Sequence, residues 1–168
     1  LRSICYNISI MKNYIVFDLE WNQSANGKER SVPHFPFEII EIGAVKLNEN
    51  FQMTGEFHRL VRPQVYTQMH HAISEVTHMN MKELRNSGEL FPNAATEFLA
   101  WCGEDAVFCT WGNMDLLELQ RNMDYHHMDN PFPKPLFYYD VQKLYGLFCR
   151  ENARISLDSA VEEQNLME

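Results

Sequence analysis

Short apolar runs separated by polar turns fill the first third of the chain, and helical spacing takes over afterwards. The block Tyr14-Ile15-Val16-Phe17 is apolar and β-favouring, which predicts a buried strand. A polar loop follows from Asn22 to Arg30. Phe37 to Leu47, rich in Ile and Val, and Glu56 to Val61, stopped by Pro63, predict an antiparallel hairpin that turns around Asn48 and Asn50. Helical spacing covers about Ser74 to Leu84. It is clearer from Asn93 to Cys102, where Ala94, Ala95, Phe98, Leu99 and Trp101 form the apolar positions. Ala106 to Thr110 predicts a fourth strand, ended by Trp111-Gly112-Asn113, and Met114 to Arg121 a helix carrying Leu116 and Leu119. The prolines at 131, 133 and 135 force extended chain before a fifth strand at Leu136 to Tyr139. Val141 to Cys149 reads as a helix capped by Asp140, and a last helix starts after Ser156. Three leading strands, then strands alternating with helices, predict an α/β fold: a five-stranded mixed sheet flanked by helices.

Composition narrows what such a fold can do. The 168 residues fit one domain, and 45% hydrophobic content supplies a full core. No apolar run approaches the roughly 18 residues of a membrane span, so no membrane role is expected. Lys plus Arg number 14 against 23 Asp plus Glu, a net charge of -9. That excludes a protein that tracks phosphates by its own charge, so any nucleic-acid partner needs added cations. Cys5, Cys102, Cys109 and Cys149 form no CxxC pair and no zinc-ribbon spacing, as expected of reduced thiols in the cytoplasm. Residues 1–10 lack a secretory pattern and read as a leader or upstream segment, with Met11 as the expected native start and 11–168 as the domain. Nothing in the sequence fixes an oligomeric state.

The candidate chemistry sits where two strands end. Asp18 and Glu20, two apart on the first strand, share one side of it. Asp115 lies just past the fourth strand, which a right-handed crossover places parallel to the first and beside it. Ligands in such sheets gather beyond the carboxyl ends of the strands. Three carboxylates meeting there repel one another unless protonated or bound to cations, and an oxygen-only donor set favours Mg²⁺ or Mn²⁺. Spacing alone equally allows a solvated strand end with Asp115 beside a helix N-terminus.

The wording around these residues separates the two. Tyr14 to Glu20 (YIVFDLE) and Glu38 to Val45 (EIIEIGAV) resemble the opening of the DEDDh 3′–5′ exonucleases, which have the ribonuclease H-like fold. Phe57 to Pro63 resembles that family's third strand. Thr77-His78-Met79 stands where the family has a Thr-Gly-Ile type turn, and Thr110 to Asp115 resembles its second motif. The Trp-Gly-x-x-Asp form is most similar to the branch holding the sporulation inhibitor KapD and the enhanced-RNAi exonucleases.

The resemblance implies two-metal hydrolysis of phosphodiester bonds at the 3′ end of a nucleic acid, with single-stranded RNA favoured over DNA. Asp18 would bridge two ions, Mg²⁺ or Mn²⁺, Glu20 would hold one, and Asp115 would bind more remotely or through water. Leu19, Trp21 and Asn22 fall where the family receives the terminal nucleotide. Trp111 and Met79 are candidates to stack on bases, and Thr77, His78 and Asn113 complete the expected substrate contacts. Core packing competes for Trp111 and takes Trp101, whereas His70, His71, His126 and His127 read as solvated and Asp140 as a helix cap. The family's third motif, His-x-x-x-x-Asp on a final helix, falls beyond Glu168, which makes the domain C-terminally incomplete. The final helix and its general base are thus expected to be missing, and an exonuclease-like binding module with impaired catalysis is the competing reading. A ribonuclease H-like endonuclease would require differently placed carboxylates.

Overall fold

A computed structural model describes residues 12–27, 30–132, 137–150 and 154–164. The proposed leader, Met11, Pro133, Pro135 and the first residue of the expected fifth strand lie outside them. The sheet begins with β1 (Asn13–Gln23), β2 (Phe37–Leu47) and β3 (Met53–Leu60). Alternation on β1 sends Ile15, Phe17 and Leu19 into the core, while Val16 and Asp18 face outward. β1 pairs antiparallel with β2, and β2 with β3. The β2–β3 turn is organised by Asn48, whose side chain accepts from the backbone N–H groups of Asn50 (2.9 Å) and Gln52 (3.0 Å).

Helices α1 (His71–Thr77), α2 (Met81–Ser87) and α3 (Phe91–Cys102) lead to β4 (Ala106–Thr110). Then follow α4 (Met114–Tyr125), β5 (Tyr139–Asp140), α5 (Val141–Cys149) and α6 (Leu157–Glu163). Strand order is β3-β2-β1-β4-β5, with β4 parallel to both β1 and β5, so the expected crossover neighbour of β1 is the one observed. Phe17, Phe57, Phe98 and Phe108 meet at ring separations of 5.4–6.5 Å beneath α3, and Leu116, Leu119 and Met123 of α4 complete this core. Trp101 packs on Phe57 at 5.5 Å with the Lys46 ammonium 4.5 Å above its ring, which confirms a packing role.

Of the boundaries that differ from the sequence expectation, three change the picture. The helix expected over Ser74 to Leu84 is two helices, because His78 ends the first in the left-handed conformation (φ 57°). Asn80 then restarts the chain as an N-cap, accepting from the Glu83 N–H at 3.0 Å. β1 runs on to Gln23, because Trp21, Asn22 and Gln23 find partners on β2, so Asp18 and Glu20 lie inside the strand and not at its end. β5 is only Tyr139–Asp140, shorter and later than Leu136 to Tyr139. The cap expected at Asp140 is present, accepting from the Lys143 N–H (3.0 Å), and the last helix starts after Ser156 as expected, with Ser156 accepting from the Ser159 N–H (3.1 Å).

Candidate metal centre

The site is built on the paired strands β1 and β2 and on the turn after β4. Asp18 lies opposite Gly43 and Glu20 opposite Glu41. The register then slips: Trp21 faces Ile39, so Ile40 is the extra residue of a β-bulge on β2. Bulges re-aim the side chains that flank them, and this one follows Glu20 directly. After β4 the chain turns through Gly112, whose φ of 96° admits glycine readily and a side chain only with strain. The Thr110 hydroxyl donates to the Gly112 carbonyl at 2.6 Å and closes the turn. This brings Asp115, only 5% exposed, onto β1, where the Leu19 N–H donates to its Oδ1 at 3.2 Å. That bond links the two halves of the site.

The electrostatics are strained in one direction. Removal of water raises the Asp18 carboxyl, and Glu41 raises it further. Glu20 is raised by desolvation, then by Asp18, Glu41 and Asp115. Asp115 is pushed up to about 6, by burial first and Asp18 second, against the backbone N–H groups that favour its ionised form. Glu20 and Asp115 thus each sense another of the three, and Asp18 senses Glu41 across the strand pair. Among the described residues, no three His, Cys, Asp or Glu side chains close into a ligand cage. The donor chemistry fits a hard divalent ion: oxygen ligands only, partly stripped of water, with mutual repulsion that a cation removes.

The expected substrate contacts divide. Asn22 is 0% exposed, and its side chain is spent on protein: Nδ2 donates to the carbonyls of Tyr66 and Gln68, both at 2.9 Å, while Oδ1 accepts from the His70 N–H at 2.9 Å. It has no group left for a nucleotide. The Leu19 side chain points into the core, opposite to Asp18 and Glu20, so only its backbone faces the site. Trp21 is half-buried against Phe37, with ring centroids 5.6 Å apart. Trp111 is half-buried too, its Nε1–H donating to the Ile155 carbonyl at 3.1 Å and its ring 5.8 Å from Tyr145. Packing, the competing reading for Trp111, is what the structure shows. Thr77 donates to Ile73 and accepts from the Met79 N–H, His78 is exposed, and Met79 is half-buried. Asn113 is exposed and starts α4 without a side-chain cap bond. His126 is not solvated: it stacks on Phe91 at 5.2 Å, and burial, then His127, lowers its pKa.

Sequence reasoning missed two acidic residues here. Glu41 stands across from Glu20 and contacts His58 through its Oε1. Glu38, 2% exposed, accepts from three consecutive backbone N–H groups, those of Gln64 (2.6 Å), Val65 (3.0 Å) and Tyr66 (2.7 Å). A charged residue within the apolar run Phe37 to Ile42 was the available signal.

Comparison with known proteins agrees with this architecture. The sequence profile described as Exonuclease matches residues 15–168. No curated protein matches the chain by sequence. The nuclease domain of 3′hExo, a DEDDh family member bound to rAMP, is similar at TM-score 0.71 and 21% identity, over 94% of this chain and 80% of that one. Cell-death related nuclease 4 (CRN-4) is similar at TM-score 0.72 and 16% identity, over 93% of this chain and 55% of that one. E. coli Exonuclease I in complex with a dT13 oligonucleotide is similar at TM-score 0.64 and 14% identity, over 82% of this chain and 30% of that one. The chain therefore spans about half or less of the length of the last two. At these identities the likeness establishes the fold, the ribonuclease H-like fold of DEDDh exonucleases.

Proposed function

This chain belongs to the exonuclease family, and from that premise we propose that it removes nucleotides from the 3′ end of single-stranded nucleic acid, RNA before DNA, using Mg²⁺ or Mn²⁺. The observation that carries the reading is the electrostatics of the site: Asp18, Glu20 and Asp115 are each raised in pKa by burial and by at least one acidic neighbour, and the Leu19 N–H ties Asp115 to the strand between Asp18 and Glu20. Asp18, Glu20 and Asp115 would hold two ions, which when bound supply Lewis-acid activation of water and neutralise charge on the leaving oxygen. The chain's own contribution is positional. The Leu19 N–H fixes one Asp115 oxygen, and the strand register fixes Asp18 and Glu20 on one face. Such cations also answer the net charge of -9, which by itself repels phosphates.

The preference for RNA is supported by likeness to a nuclease domain whose structure holds rAMP. The Trp111-Gly112-Asn113-Met114-Asp115 sequence supports placement in the branch of KapD and the enhanced-RNAi exonucleases. Free thiols at Cys102, Cys109 and Cys149 are consistent with a cytoplasmic location.

The competing reading is binding without turnover. Incubation with a 5′-labelled single-stranded RNA and Mg²⁺ separates the two. Exonuclease action gives a ladder shortening from the 3′ end, stopped by chelator and by a blocked 3′ end. Binding with no shortening favours the second reading, and internal cuts overturn the assignment.

A further inference from the structure

The segment between β3 and α1 is held by an unusual number of buried side chains. Glu38 is enclosed and accepts four hydrogen bonds of 2.6–3.1 Å from the N–H groups of Gln64, Val65 and Tyr66. Asn22 completes the hold from β1, with two carbonyls and one N–H of Tyr66 to His70 bound to its amide. The Tyr66 hydroxyl donates to the Phe35 carbonyl and accepts from the Val32 N–H at 3.0 Å, tying in the chain that precedes β2. Five backbone groups between 64 and 68 and the amide of His70 are thus fixed by two side chains, which sit on the two strands that carry the site.

Both side chains are placed with respect to the acidic residues. Asn22 lies two residues beyond Glu20, just past the register slip, and Glu38 is its partner across the β1–β2 pair. The segment they hold runs straight into α1, which packs against β1, and on to Thr77-His78-Met79. Loops of this length normally carry their polar backbone to solvent and move with it. Here a displacement of residues 64–66 would break hydrogen bonds to the Glu38 carboxyl, and a displacement of residues 68–70 would break those to Asn22.

We propose that Glu38 and Asn22 are positioning residues, which set where the α1 wall stands relative to Asp18 and Glu20 and so fix the place of the incoming nucleic-acid strand. This rests on the function proposed above. Neither side chain touches substrate. Glu38 fills a nest of backbone N–H groups that would otherwise attract an external anion, and Asn22 ties the far end of the same segment to β1. The arrangement predicts that strand affinity depends on two groups buried away from the strand, while ion affinity does not.

The test compares Glu38→Ala, Glu38→Gln and wild type in the full chain, with hydrogen exchange, Mn²⁺ titration and single-stranded RNA binding by fluorescence anisotropy in Ca²⁺. In Glu38→Ala, amide exchange at Gln64, Val65 and Tyr66 should accelerate by about tenfold or more, as expected for loss of their hydrogen bonds to a carboxylate. RNA affinity should fall by a similar factor while Mn²⁺ affinity changes less than about twofold, and added acetate should restore both exchange protection and RNA affinity. If Glu38→Ala does not fold, Glu38→Gln, which keeps one accepting oxygen, carries the same comparison. Faster exchange with unchanged RNA affinity reduces the pair to a purely structural role and overturns the inference alone. Failure of the wild-type chain to bind RNA overturns the proposed function and this inference with it.

Discussion

Glu38 and Asp115 are carboxylates buried to similar depth, 2% and 5% exposed, on elements that touch, yet their surroundings are opposite. Glu38 receives three backbone N–H donors and solves its desolvation within the chain. Asp115 receives the Leu19 N–H on one oxygen but also faces Asp18, and its carboxyl is pushed up to about 6. Burial of a charge costs several kcal/mol unless partners replace the lost water. The fold supplies those partners in one place and withholds them in the other. A carboxylate satisfied by backbone holds structure together. Carboxylates that raise one another's pKa form a place for a cation.

The largest expected effect breaks the second half of that comparison. Asp18→Asn removes a charge at nearly constant volume, and 3′-end hydrolysis by the active protein should fall by several kcal/mol, on the order of 10⁴-fold. The melting temperature of the metal-free chain should hold or rise, because repulsion with Glu20 is relieved. Retained cleavage in a labelled-oligonucleotide assay would remove Asp18 from the site, and a collapsed fold would make it structural.

Glu38→Ala should do the reverse to stability. It strips the acceptor from three buried N–H donors, and loss of such a buried charged partner costs about 3–5 kcal/mol. For a domain of this size that is a drop of roughly 10 °C in a thermal melt. A change under about 1 kcal/mol would mean that water replaces Glu38 freely.

Acidity sharpens the comparison. The Asp115 carboxyl, about 6 in the fold against an ordinary 3.8, binds its proton more tightly folded than unfolded. The stability from that proton is fully present below the unfolded value and is lost as pH rises through about 6, a fall of about 3 kcal/mol for this group. Denaturant melts of the metal-free chain at pH 4 and pH 7 should show that decline, and Asp115→Asn should flatten it. Equal slopes in the two proteins would contradict the raised pKa. The smallest effect lies at His78, held at φ 57° between α1 and α2. His78→Gly should raise stability by about 0.5–1 kcal/mol, since glycine adopts that conformation without a Cβ penalty. A loss would show that the imidazole makes a contact worth more than the strain.

Much of this was legible in the chain because it rests on local pattern. Tyr14 to Phe17, Phe37 to Leu47 and Ala106 to Thr110 announce strands by apolar runs, and Asp140 and Ser156 announce helix starts by their capping chemistry. The break at His78 was harder to see, although Asn80 and Glu83 carry the spacing of a capping box. Asn22 and Glu38 were not legible as clamps. Their partners lie 26 to 48 residues away, and no periodicity reports a buried amide or carboxylate that meets loop backbone only after the sheet forms. The acidic trio and its mutual repulsion were legible, but the part played by Glu41 was not, because its place opposite Glu20 and its effect on Asp18 follow from cross-strand pairing.

The most direct measurement is Mn²⁺ binding at pH 7, followed by the loss of the free-ion electron paramagnetic resonance signal, for wild type, Asp18→Asn and Asp115→Asn. The account predicts saturable binding by wild type and a loss of about tenfold or more in affinity in each variant, with Glu38→Gln unchanged. Equal Mn²⁺ affinity in wild type and both aspartate variants would contradict it, and would leave Asp18 and Asp115 as two repelling carboxylates with no cation to hold.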